Sequence, residues 1–439
     1  MSRVEPARWG SLLIAAGALL IAATCSRESR VEPATPAGRA PTPVAPTAAK
    51  ALPAPSASAG EPAPAAAPAS RDSLAFEHFG RALSGLEAKT RTDHVRVLWL
   101  GDSHTAADFL TGALRRKLSL RFGPGGPGFT RLGASPYRHE GVKLVREGRW
   151  RIEPEPPSSR SGEGDTAFGI AGLRAIPLDA RARVEAEVDA RVVKGSVRYE
   201  LLFDLPRGAS FKLAVGATRR LVDGRTKVER VQGSPIARLR LEGPASAALE
   251  ISSVSGSPRF YGAFVEGSEP GLVLDTSGID GARVATALAW NPEVLAAEVR
   301  ARQPELFVVA YGTNEAFDNR RTEVIGTELA TLVERLRRGA PTADCLVVGP
   351  PDAAAPDLSS LPRVVEIEDA LGRAAARLGC GFFSLRAAMS GDGGFARWMR
   401  ESPPLARGDR IHLTPAGYEQ LGDALAAALI GAYEARKLP

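Results

Sequence analysis

Two rhythms of apolar residues divide the chain. Between residues 72 and 136, and again from 266 to 439, apolar positions come as short unbroken runs separated by stretches of helical period. Leu74, Phe76, Phe79, Leu83 and Leu86 recur at helical spacing, the run "VRVLWLGD" follows as a strand, and "LTGALRRKLSLRF" follows as a second helix. Four further runs, "GLVLDTSG" (271–278), "ELFVVAYGTNE" (305–315), "CLVVGPPD" (345–352) and "GFFSL" (381–385), are separated or followed by helical stretches near 283–301, 322–338, 363–378 and 415–436. Strands alternating with helices predict a parallel sheet covered on both faces.

Over residues 137–265 the period falls to two. Val184, Ala186, Val188, Ala190 and Val192, then Val197, Tyr199, Leu201, Phe203 and Leu205, then Phe211, Leu213 and Val215 each describe a strand with one buried face. Turn signals such as Asp223-Gly224 lie between such runs, which predicts an all-β sandwich inserted into the α/β unit after its first strand and helix. The lead-in "RFGPGGPGFTRLG" (121–133) reads as a rigid loop at the junction. A phosphate cradle would need a following Lys-Ser/Thr pair at the P-loop spacing, and none follows. As an insert, the sandwich is expected to be dispensable for chemistry on a small soluble ester and to matter on a polymer.

The first seventy residues follow neither rhythm. Arg3 and Arg8 precede "WGSLLIAAGALLIAAT", an apolar stretch of signal-peptide length, and Cys25 comes next. Residues 1–25 are therefore expected to export the chain, with Cys25 as a lipidation candidate that anchors it in a membrane; an uncleaved anchor is the alternative. Residues 26–71 are so rich in Pro and Ala, and so poor in large apolar side chains, that they read as an unfolded tether. The net charge of +6, from 56 basic and 50 acidic residues, is spread along the chain. Without dense Lys/Arg clusters, nucleic acid is excluded as a partner.

Candidate chemistry starts in "VLWLGDSHTA" (97–106), where an apolar strand stops at Gly101 and Ser103 follows. A helix cap would account for such residues, but so would a nucleophile at the carboxyl end of a parallel strand, where open α/β sheets carry their sites. A nucleophilic serine needs a base, an orienting acid and donors for the oxyanion. Among the five histidines, His412 in "GDRIHLTPAGYEQLGDAL" follows Asp409 by three residues, a spacing that one turn can close. Asn314 in "AYGTNEA" and Gly281 in "SGIDGAR" both end predicted strands on the same edge of the sheet as Ser103. Each motif alone would read as an ordinary turn. Together they place serine, glycine, asparagine and an Asp/His pair on one edge, in that chain order. Such acyl-transfer chemistry calls for no cofactor and no metal.

These four blocks, "GDSH", "SGIDGA", "YGTNEA" and "DRIHLTP", resemble those of the SGNH hydrolases, also called GDSL esterases. The resemblance implies a three-layer α/β/α sandwich and a triad of Ser103, His412 and Asp409. It also implies an oxyanion hole from the backbone N–H groups of Ser103 and Gly281 and the Asn314 amide. His104 and Glu315 depart from the commoner Leu and Asp of the superfamily. With the "GPGGPGF" lead-in and the β insert, they are similar to a narrower branch, the peptidoglycan O-acetylesterases and related cell-wall O-acetyl enzymes, whose insert resembles a carbohydrate-binding module. The implied activity is removal of O-acetyl groups from a cell-wall polysaccharide. An O-acetyltransferase with the same triad, and an inactive glycan-binding lipoprotein, are the alternatives.

Cys345 opens one predicted strand and Cys380 immediately precedes the next. If those strands are parallel neighbours, both cysteines lie at the amino edge of the sheet, close enough for a bridge. Two free buried thiols acting as small apolar residues are the first reading, and a disulfide the second.

Overall fold

The structure is a computed structural model that describes residues 74, 76–134, 137–154 and 165–437. The export segment with Cys25 and the Pro/Ala-rich tether expected at residues 1–71 lie outside the described residues. Among those described, no helix is long and apolar enough to cross a membrane.

Six strands form one fully parallel sheet: β1 (Val95–Gly101), β2 (Pro124–Gly126), β3 (Leu272–Gly278), β4 (Leu306–Ala310), β5 (Asp344–Gly349) and β6 (Gly381–Ser384), in the spatial order β6-β5-β4-β1-β3-β2. Their unbroken apolar runs follow from burial on both faces. In β1, Val95, Val97 and Trp99 enter one core with the helices Glu77–Glu87, Leu110–Phe122 and Pro415–Lys437. Leu98 and Leu100 enter the other, with Pro292–Arg302, Thr322–Gly339 and Pro362–Arg377. This is the three-layer α/β/α sandwich. Helix Thr322–Gly339 shows how the sequence builds a layer: Ile325, Leu329, Leu332, Val333 and Leu336 form its buried stripe. Truncating the fully buried Leu329 to Ala would cost roughly 2–5 kcal/mol.

The helix expected at 283–301 is two helices, Val284–Leu288 and Pro292–Arg302. Asn291 Oδ1 accepts the N–H groups of Glu293 and Val294, and Pro292 takes the first helical position, so the chain stops and restarts there. Short helices at Leu385–Ala388 and Gly394–Arg400 follow β6.

Between β2 and β3 lie two antiparallel sheets, of five and seven strands, that stack as a sandwich. Its core includes Phe203, Phe211 and Phe260, with edge-to-face ring pairs 5.3 and 5.0 Å apart. The strand Arg259–Gly267 joins this sandwich to the α/β layers. Phe260, Ala263 and Val265 face the sandwich core, whereas Tyr261 and Phe264 enter the core that covers β1 and β4. A register shift between Phe260 and Gly262 makes room for this double burial.

The glycine-rich lead-in is not the loop expected. Pro124–Gly126 is β2, paired parallel with β3, and Gly128–Thr130 pairs antiparallel with Arg259–Gly267. Its glycines are there for close approach: a Cβ on Gly126 would lie 2.6 Å from the Val265 carbonyl oxygen.

Cys345 and Cys380 form a disulfide and are not the free thiols given first place from the sequence. Leu346 pairs with Gly381, so the preceding residues sit side by side at the start of β5 and β6, with Cα atoms 4.7 Å apart.

Candidate active site

At the carboxyl end of β1 the chain turns directly into the one-turn helix Ser103–Ala106. Asp102 caps it by accepting the His104 N–H at 3.0 Å. The turn is tight because Gly101 has no side chain: a Cβ there would lie 2.2 Å from Thr105 Oγ1, which accepts the Trp99 indole N–H. Gly278, at the end of neighbouring β3, is equally constrained, since a Cβ would lie 2.3 Å from the Ala106 nitrogen. The serine helix and the loop after β3 are thus packed backbone to backbone.

His412 comes from the loop before helix Pro415–Lys437. Thr414 Oγ1 caps that helix by accepting the Gly417 N–H at 3.3 Å. The Asp409 carboxylate accepts the backbone N–H groups of Ile411 and His412 at 3.0 and 2.8 Å, and the His412 Nδ1–H at 3.0 Å. Burial pushes its pKa up, but those donors outweigh the effect and hold it below the ordinary value. With Nδ1 protonated toward Asp409, His412 Nε2 is the acceptor for the Ser103 hydroxyl, 3.0 Å away. The three side chains form one hydrogen-bonded chain.

Ser103, Gly281, Asn314 and His412 line a single cleft of about 350 Å³, together with Phe109, Asp280, Phe317, Arg407, Ile411 and Tyr418. Gly281 holds a left-handed backbone, φ 73°, at the turn after β3. Neither its N–H nor that of Ser103 has an acceptor among the described residues. Asn314 donates one amide hydrogen to Ala282 O at 2.9 Å, which ties it to the Gly281 loop. Asp409 stands behind His412. His94, by contrast, is buried against Gly267 O beyond the opposite edge of the sheet.

The two departures from the superfamily pattern are both buried. His104 Nδ1 meets the Tyr418 hydroxyl at 2.9 Å, and its ring centre lies 5.4 Å from that of His412. Burial, with His412 beside it, presses its pKa down to about 3, so it is neutral and cannot repel a protonated His412. The Glu315 carboxylate accepts the N–H of Val284 at 2.8 Å and that of Gly312 at 3.1 Å, bridging the Gly281 and Asn314 loops. Burial raises its pKa to about 7. Phe109, just before helix Leu110–Phe122, and Tyr418, in helix Pro415–Lys437, stacked 6.2 Å apart in the cleft wall, carried no signal in the sequence because each reads as an ordinary apolar helix position. Among the described residues, no group of three or more His, Cys, Asp or Glu is arranged to hold a metal ion.

Residues 247–420 match the model of the GDSL-like Lipase/Acylhydrolase family. No curated protein matches the sequence. Among solved structures, a peptidoglycan O-acetylesterase superposes with a TM-score of 0.69 at 21% identity, covering 82% of this chain and 97% of its own. A lipase/acylhydrolase from Enterococcus faecalis, at 19% identity and a TM-score of 0.29, covers 37% of this chain and 77% of its own. The 0.69 match extends through the β sandwich as well as the α/β layers, so the two bodies recur together.

Proposed function

We propose that this chain, an SGNH-type esterase by its family match and fold, removes O-acetyl groups from a cell-wall polysaccharide, peptidoglycan being the substrate we favour. The observation that carries the reading is the hydrogen-bonded chain from Ser103 through His412 to Asp409, opening into a cleft edged by Gly281 and Asn314. In this reading His412 Nε2 takes the Ser103 proton as the oxygen attacks the ester carbonyl, and Asp409 stabilises the imidazolium. The N–H groups of Ser103 and Gly281 and the Asn314 amide receive the oxyanion. As the intermediate collapses, His412 gives its proton to the departing sugar oxygen, which leaves as a hydroxyl, and water, deprotonated by His412, repeats the cycle on the acetyl-serine to release acetate and free Ser103. Export through residues 1–25 and anchoring at Cys25 belong to the same proposal, since they would deliver the domain to that polymer.

The test is acetate release from purified, O-acetylated peptidoglycan, followed beside acetyl transfer to a glycan acceptor. Ser103-dependent acetate release supports the esterase. Transfer without release would make the chain an acetyltransferase, and binding without turnover would make it a glycan-binding protein.

A further inference from the structure

Among the described residues, the buried arginines are paired with carboxylates, with one exception. Arg115 meets Asp108, Arg174 meets Glu153 and Asp165, Arg238 meets Glu200 and Glu298, and Arg302 meets Asp275 and Glu266. Arg131, 3% exposed, has no carboxylate within ion-pair distance among the described residues. Its guanidinium donates instead to neutral oxygens: Gly278 O at 2.6 Å, Ser277 Oγ at 2.9 Å and Ala171 O at 2.9 Å. Ser277 Oγ in turn donates to Ala171 O at 3.1 Å.

A buried cation without a counter-charge costs several kcal/mol, so stability alone does not explain it. Its position does. Ser277 and Gly278 are the last residues of β3, four and three positions before Gly281, and Ala171 belongs to the segment between the strands of the sandwich. The fork therefore fastens the root of the Gly281 loop to the Ala171 segment of the insert, which packs in the α/β core beside helix Pro292–Arg302. From the other side, Glu315 accepts the Val284 N–H just beyond that loop.

We infer that Arg131 is a positioning residue for the oxyanion donors: by clamping Gly278 O and Ser277 to Ala171 it holds the Gly281 N–H toward Ser103, and it supplies fixed positive charge behind the loop where negative charge develops. The Ala171 segment of the insert is then part of the catalytic framework. This inference rests on the esterase reading above. Groups aligned before reaction are worth most in the transition state, so a loosened loop lowers kcat more than it raises KM.

The experiment uses the full chain, a small neutral acetate ester, and Arg131→Met, Arg131→Lys and Asn314→Ala. Arg131→Met is expected to lower kcat about a hundredfold with KM changed by no more than about threefold, and Arg131→Lys, which keeps the charge but not the fork, about tenfold. In the Asn314→Ala background the Arg131→Lys loss should shrink to about threefold or less, because both residues serve one oxyanion. If Arg131→Met does not fold, the Lys variant and its cycle with Asn314→Ala carry the same test. Wild-type kcat in either folded variant, a change confined to KM, or full additivity with Asn314→Ala would overturn the assignment. Ser103→Ala is run alongside. Should it retain turnover, the esterase reading itself fails, whereas an inactive Ser103→Ala beside unimpaired Arg131 variants removes only the role given to Arg131.

Discussion

The two edges of the parallel sheet are built on opposite principles. At its amino edge nearly every charge is matched: Arg96 pairs with Asp93 and Glu266, Arg302 with Asp275 and Glu266, Arg91 with Glu305, and the disulfide ties β5 to β6. At its carboxyl edge, beside pairs such as Arg115 with Asp108 and Arg283 with Asp318, several buried polar groups have no ionic partner. Asp102 and Glu315 are buried carboxyls without a cation partner among the described residues, Arg131 is a buried cation without an anion, and two backbone N–H groups face the cleft without acceptors. One sheet thus concentrates its cross-links where nothing reacts and its electrostatic tension where a substrate would arrive.

Mutating the two edges should separate activity from stability. Ser103→Ala and His412→Ala are each expected to reduce kcat on a small ester by about 10⁴-fold or more while the thermal midpoint stays put, measured by steady-state kinetics beside a melting curve. Residual turnover near the wild-type level in folded Ser103→Ala would break the assignment of the carboxyl edge. The reverse pattern is expected for Cys345→Ala/Cys380→Ala. Opening a bridge between residues 35 apart removes roughly 3–4 kcal/mol of unfolding free energy, read from a urea titration, with kcat unchanged in the folded enzyme.

Asn314→Ala sharpens the comparison within the cleft. It should cost about a hundredfold in kcat with a smaller change in KM, and an unchanged kcat would take Asn314 out of the oxyanion hole. The smallest effect is in pH dependence. The guanidinium groups of Arg302 and Arg96 overcome burial and hold Glu266 below its ordinary value of 4.5, so its stabilisation is complete above that value and is lost as the pH falls below it. Glu315 is the opposite case. Burial raises it to about 7, so between 4.5 and 7 the native state keeps a proton that the unfolded chain has released, and stability declines as pH rises through that window. Glu266→Gln should flatten the acid limb of a stability profile and Glu315→Gln the limb approaching neutrality. Identical profiles for both variants would show that the edges do not differ in this way.

The α/β layers were legible because each strand of the sheet is buried on both faces and each covering helix on one, which leaves unbroken runs and amphipathic stripes in the sequence. Three of the four polar blocks were legible because each follows such a run, and the Asp409/His412 block because it stands just before a capped helix. The lead-in 121–133 was not: its strands are glycine-rich, and their partners lie more than a hundred residues away in Arg259–Gly267 and β3. Arg131 was hidden for the same reason, since its acceptors are Gly278, Ser277 and Ala171 and no carboxylate neighbour marks it. The insert was expected to be separable from the chemistry on small esters. The insert does share a core with the α/β layers through Tyr261 and Phe264, and Arg131 reaches Ala171 within that core; turnover of a small ester by a chain lacking the insert tests the expectation.

The strand Arg259–Gly267 also bears on how this chain can change over evolutionary time. Because Phe260, Ala263 and Val265 serve one core and Tyr261 and Phe264 another, losing or gaining a single residue within it would exchange the two sets. Large rings would then be driven into space shaped for Ala263, and small side chains would leave voids against β1 and β4. Length variation among descendants should therefore collect in exposed turns such as residues 206–208 and 223–226, while this nine-residue segment keeps its length as substitutions accumulate around it.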